Sequence, residues 1–145
     1  MLRKVALIFI EYQKQIKMIE KKILIIDDDQ GIRMLLDHLL NDIYNIELKE
    51  NGHDALLYLQ EGNIPDMIIS DLSMPKMNGT DFLENIRTSN FFNNIPLIIL
   101  SAKENSKERI DCLKRGADDY LVKPFNPEEL EVRIANIFRR MQIKA

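Results

Sequence analysis

Short runs rich in apolar residues alternate along the chain with stretches whose apolar residues recur every three or four positions. The runs Ile23–Ile26, Tyr44–Leu48, Asp66–Ser70, Pro96–Leu100 and Asp119–Val122 predict five strands. Between and after them, Gly31–Leu40, Asn51–Gln60, Asp81–Arg87, Ser106–Arg115 and Pro127–Arg139 carry helical spacing, as at Ile32, Leu35, Leu36, Leu39 and Leu40. Gly116 is a natural stop for the fourth of these helices, and Pro127 sits in the first turn of the fifth. Strict alternation of strand and helix predicts βαβ units, an α/β fold and a parallel sheet covered on both faces. The continuously apolar first, third and fourth strands fit central positions in such a sheet.

In sheets of this kind ligands lie beyond the carboxyl ends of the strands. Those ends carry chemistry. The first strand runs into Asp27, Asp28 and Asp29, the third ends at Asp71, the fourth at Ser101 and the fifth at Lys123. Crowded carboxylates repel unless something compensates them. A hard divalent cation such as Mg²⁺ does so, because it prefers oxygen ligands and takes one or two carboxylates with phosphate oxygens. Asp71 lies between the metal candidates and the lysine, which makes it the candidate nucleophile toward phosphorus, with Ser101 and Lys123 offsetting charge on the phosphoryl oxygens.

The stretches "ILIIDDD", "DMIISDLSMPKMNG", "LIILSA" and "GADDYLVKPF" occur in that order, with 30 residues from Asp71 to Ser101 and 52 from Asp71 to Lys123. In these features residues 21–140 resemble a receiver domain of bacterial two-component response regulators. The resemblance implies a flavodoxin-like, doubly wound five-stranded sheet of order 2-1-3-4-5 with five helices on two faces. It implies that Asp71 is the phosphoacceptor, that Asp27, Asp28, Asp71 and the backbone carbonyl of Ser73 hold Mg²⁺, and that Ser101 and Tyr120 form the switch. It further implies a cis Lys123–Pro124 peptide, a loop after Asp71 shaped by Pro75 and Gly79, and a phosphoryl lifetime set by Ser73 and Lys103. Asp29 is expected to cap the first core helix instead of binding metal.

On this reading the chain is a signalling receiver that catalyses only its own phosphorylation and dephosphorylation. Its partners are a histidine kinase or phosphotransfer protein and a downstream effector, with a homodimer through the fourth core helix, fifth strand and fifth core helix as a further expectation. An alternative is a small Mg²⁺-dependent phosphatase of the haloacid dehalogenase type with Asp27 as nucleophile. That family usually has Thr or Val where Gly31 stands. A flavin-binding flavodoxin-like module is disfavoured because "DDDQGIR" would repel a phosphate.

Composition adds limits. The net charge of −3 supplies no basic field for nucleic acid. No apolar run reaches the roughly 20 residues of a spanning helix. The lone Cys112 excludes an internal disulfide and fits a reducing, cytoplasmic setting. His38 and His53 have no partner pattern. Residues 141–145 read as a tail, so the chain is expected to be a stand-alone receiver without an output module. Residues 1–20 carry a net charge of +2 and form an extension that precedes the motifs. There, Val5, Leu7, Ile8, Tyr12, Ile16 and Ile19 would line one side of a helix that packs on the body or on a partner, unless translation starts at Met18.

Overall fold

A computed structural model describes residues 1–144, apart from the side chains of residues 15–19 and 143–144. In chain order the elements are α1 (Leu2–Glu20), β1 (Lys22–Ile26), α2 (Gln30–Leu40), β2 (Asn45–Lys49), α3 (Gly52–Gln60), β3 (Met67–Asp71), α4 (Gly79–Thr88), β4 (Leu97–Ser101), α5 (Ser106–Lys114), β5 (Asp119–Val122) and α6 (Pro127–Lys144). The five strands form one parallel sheet in the order β2-β1-β3-β4-β5.

The unbroken apolar runs are explained by two cores. Leu24, Ile26, Ile68 and Ile99 turn to one face, where they meet Ala55 and Leu59 of α3, Phe82, Leu83 and Ile86 of α4, and Cys112 of α5. Their neighbours Ile23, Ile25, Ile69 and Ile98 turn to the other, against Leu36 and Leu40 of α2 and Leu130, Ile134 and Phe138 of α6. A strand buried on both sides has no polar alternate positions. Each such side chain removed from water contributes about 2 kcal/mol.

Helix ends follow local chemistry. The Asp29 carboxylate accepts from the N–H groups of Gly31 (2.8 Å) and Ile32 (3.2 Å), so it caps α2 as expected. Asn51, Asn78 and Asn105 cap α3, α4 and α5 in the same way. The Asn78 cap starts α4 at Gly79, two residues before the apolar pattern does. After α5, Gly116 adopts φ 109°. The Gly116 N–H donates to Leu113 O and the Ala117 N–H to Cys112 O, closing the helix as a Schellman motif.

The extension forms the helix expected of it, a sixth beside the five of the domain. Of the two packings expected for it, that on the body is not made by its described apolar side chains: Leu2 is 88% exposed and Phe9 61%. Ile16 and Ile19 lie outside the described side chains. The last helix continues past Arg139 to Lys144, because nothing in "RRMQIK" stops it.

Candidate functional site

Register alone assembles the site. Ile26 pairs with Ser70, so Asp27 follows at the level of Asp71. Asp71 pairs with Leu100, so Ser101 lies one step further on, and Ser101 pairs with Val122, so Lys123 lies a step beyond that. The acid, hydroxyl and amine thus climb one rim of the sheet. The Lys123 N–H donates to Ser101 O at 2.7 Å, and the Lys123–Pro124 peptide is cis.

Asp27 is 1% exposed and Asp71 7%. The Lys123 ammonium stands 2.6 Å from Asp27 Oδ2 and 3.3 Å from Asp71 Oδ1. Asp27 Oδ1 accepts from the Asp29 N–H at 2.9 Å, and Asp71 Oδ1 from the Leu72 N–H at 2.8 Å. Burial, and then the Asp27 charge, push the Asp71 carboxyl above its usual range, against the pull of Lys123. Burial opposes the charge on Lys123, but its hydrogen bond to Asp27 and the charges of Asp27 and Asp71 outweigh this and raise it.

Carboxylate oxygens of Asp27, Asp28 and Asp71 all lie within 4.8 Å of one another. Three carboxylates facing one ammonium leave a formal excess of two negative charges. An all-oxygen donor set with that excess fits a hard divalent cation such as Mg²⁺.

Ser101 is buried, and its Oγ accepts from the Lys103 N–H at 3.1 Å. The Tyr120 ring packs in the α3–α5 core, and its hydroxyl donates to Lys103 O at 2.9 Å. Tyr120 therefore points inward, and it and Ser101 bond the two backbone polar groups of the same residue, Lys103. Beside this group a hollow of about 400 Å³ runs from Leu72 and Ser73 to Lys103 and Glu108. Ser73 itself is exposed on the loop after β3.

That loop is held by Gly79. A Cβ there would lie 2.4 Å from Asp71 O and 2.7 Å from Leu72 Cα, so only glycine lets α4 approach the end of β3. The Gly79 N–H donates to Leu72 O at 2.7 Å.

The chain belongs to the response regulator receiver domain family. The family match spans residues 23–135. Among curated relatives, the probable transcriptional regulator ycf27 of Guillardia theta is 42% identical over 123 residues, covering 83% of this chain and 46% of that protein. The response regulator Rre1 of Synechocystis is 34% identical over 122 residues, covering 83% and 52%. The chain spans about half the length of these two, and 9% of a histidine kinase, P4, of Formosa agariphila, to which it is 40% identical. Among solved structures, the Francisella response regulator 1452 receiver domain superposes with a TM-score of 0.78 at 33% identity, covering 84% of this chain and 99% of that one. The chemotaxis response regulator CheY4 of Vibrio cholerae gives 0.75 at 33%, covering 81% and 98%. As a receiver domain it is a phosphoacceptor signalling switch in a two-component system.

The dehalogenase-type alternative gains no support. Its proposed nucleophile, Asp27, has both carboxylate oxygens engaged, by Lys123 and by the Asp29 N–H. Sequence reasoning missed Arg33, whose guanidinium donates to Asp27 O at 2.7 Å and steadies the acidic turn. Its place one turn into α2 was the available signal. Among the described residues no helix is long and apolar enough to cross a membrane.

Proposed function

We propose that Asp71 accepts the phosphoryl group from a histidine kinase or a histidine phosphotransfer protein. An Asp71 oxygen forms the new O–P bond as the N–P bond of phosphohistidine breaks, and the histidine nitrogen keeps the electron pair. The observation that carries this reading is the unequal engagement of the two buried acids. Both oxygens of Asp27 are occupied, whereas the Asp71 hydrogen bond and lysine contact fall on Oδ1 and leave Oδ2 to attack.

Asp27, Asp28 and Asp71, with the Ser73 carbonyl, would hold Mg²⁺, which when bound neutralises the acids and the incoming phosphoryl oxygens. Lys123 shifts from Asp27 toward a phosphoryl oxygen, and Ser101 Oγ turns from the Lys103 N–H to donate to another. Because Ser101 holds the Lys103 N–H and Tyr120 the Lys103 carbonyl, movement of Ser101 changes the β4–α5 loop and the face of α5, β5 and α6. The charges on that face pair within the chain, Arg115 with Asp111 and Arg133 with Asp119 and Glu129. It exposes Ile110, Leu113 and Val132, on which an effector or a second copy would dock. The protein works in the cytoplasm and catalyses only its own phosphorylation and dephosphorylation.

Intact mass after incubation with acetyl phosphate and Mg²⁺ tests the assignment. A gain of about 80 Da is expected in wild type, absent in Asp71→Asn and with EDTA. A gain retained in Asp71→Asn and lost in Asp27→Asn would restore the phosphatase-like reading.

A further inference from the structure

Helix α1 lies outside the family match, which begins at residue 23. It spans 19 residues, about 28 Å at the helical rise. Its described apolar side chains are uncovered, from Ile10 at 47% exposure to Leu2 at 88%. A helix of this length gains little stability from propensity alone and needs a packed face.

One face has a regular spacing, with the apolar Leu7, Ile8 and Ile10 lying off it. Leu2, Val5, Phe9 and Tyr12, continued in sequence by Ile16 and Ile19, recur at intervals of 3, 4, 3, 4 and 3. This is the a/d seam of a heptad repeat, the pattern that packs helix against helix. The positions flanking such a seam normally carry the charges that choose a partner. Here they are Ala6, Ile8, Gln13 and Gln15, with Glu20 the sole charge among the full heptad flanks. Nothing in them repels an identical helix, and nothing on them calls for a partner of opposite charge. Arg3, Lys4, Glu11, Lys14 and Lys17 all fall on the outer positions.

A bilayer surface fits less well. Residues 1–20 carry four basic residues, the lower end of the four to eight of an electrostatic membrane anchor, and Glu11 and Glu20 cut their net charge to +2. With the whole chain at −3, the remaining residues carry −5, which an anionic surface repels.

We propose that α1 pairs with α1 of a second copy of this chain, forming a constitutive two-stranded coiled coil that does not depend on phosphorylation. Neither the site assignment nor the α5–β5–α6 face enters into it.

The test is light-scattering mass of the unphosphorylated full chain over a range of concentrations. Wild type should weigh twice 17.0 kDa, and Phe9→Asp/Tyr12→Asp should fall to 17.0 kDa. Leu7→Asp/Ile10→Asp, which alters the outer positions, should keep the doubled mass. Equal urea midpoints for the receiver body in all three establish that each is folded. A monomeric wild type overturns the proposal, and pelleting of that monomer with phosphatidylglycerol vesicles would assign the helix to membrane instead. Doubled mass retained in the seam variant, or lost in the outer variant, also overturns it.

Discussion

The Lys123 ammonium lies 0.7 Å closer to Asp27 than to Asp71, at 2.6 Å against 3.3 Å. In this state the lysine serves the acidic turn first and the acceptor second. Replacing it should therefore show as lost stability even without phosphorylation. Lys123→Met strands two buried carboxylates at a cost of roughly 3 kcal/mol, read from urea unfolding without metal, and Mg²⁺ should restore part of it. Because the folded pKa of Lys123 is raised, its contribution is whole below the ordinary 10.5 and disappears as pH rises through the raised value.

Asp71 has the opposite balance. Its carboxyl is raised by burial and by Asp27, so the folded state holds that proton more tightly than the unfolded chain does. Its favourable contribution is present below the ordinary 3.8 and is lost as pH rises through the folded pKa. Asp71→Asn should then be more stable than wild type at pH 7 without metal, by roughly 1–2 kcal/mol. The difference should close in acid below 3.8 and on addition of Mg²⁺. Thermal melts across pH with and without Mg²⁺ measure both.

Gly79→Ala forces a methyl to within 2.4 Å of Asp71 O. Backbone occupies that space, so the end of β3 must move. The expected cost is roughly 2 kcal/mol, together with sharply slowed mass gain from acetyl phosphate. A variant with wild-type phosphorylation would show that the approach of α4 does not set the position of Asp71.

Arg87 holds the opposite end of the sheet. It donates to Ile95 O at 2.7 Å, Gly116 O at 2.8 Å and Asn93 O at 3.2 Å, and pairs with Asp118 at 3.0 Å. Arg87→Lys cannot reproduce this fork, so it should lose roughly 2–3 kcal/mol, nearly as much as Arg87→Met. Phosphorylation of the folded fraction should be unchanged in both. Denaturation curves beside the acetyl phosphate assay separate the two effects.

Lys103 pairs with Glu108 at 3.1 Å on the border of the hollow beside the site. Lys103→Glu replaces a screening cation with an anion near the phosphoryl group. Hydrolysis should change roughly fivefold, the equivalent of about 1 kcal/mol, while phosphorylation still occurs. An unchanged decay of the phosphorylated mass would exclude an electrostatic role.

Much of this was legible from residue order. The unbroken "ILII" and "LIIL" runs could be satisfied only by cover on both faces, and strand ends then set Asp27, Asp71, Ser101 and Lys123 on one rim. Asp29 and Gly116 announced their helix ends through short-range chemistry. The long-range side-chain bonds were not legible. An arginine on an amphipathic helix gives no sign that it will bridge carbonyls from two distant loops, as Arg87 does. The preference of Lys123 for Asp27 depends on side-chain angles that spacing does not encode. For α1, apolar spacing predicted a helix, but whether it would lie on the body depends on a matching groove, which the finished domain does not offer to its described side chains.

The staircase of strand ends makes function and folding inseparable. Slipping one strand by a single residue turns its buried side chains to the opposite face and carries its reactive residue off the rim. A misregistered chain is thus no weak switch but no switch at all. Tolerance to insertion should accordingly be concentrated in the loops that enter the strands, such as residues 61–66 and 89–96, where added length leaves every pairing in place.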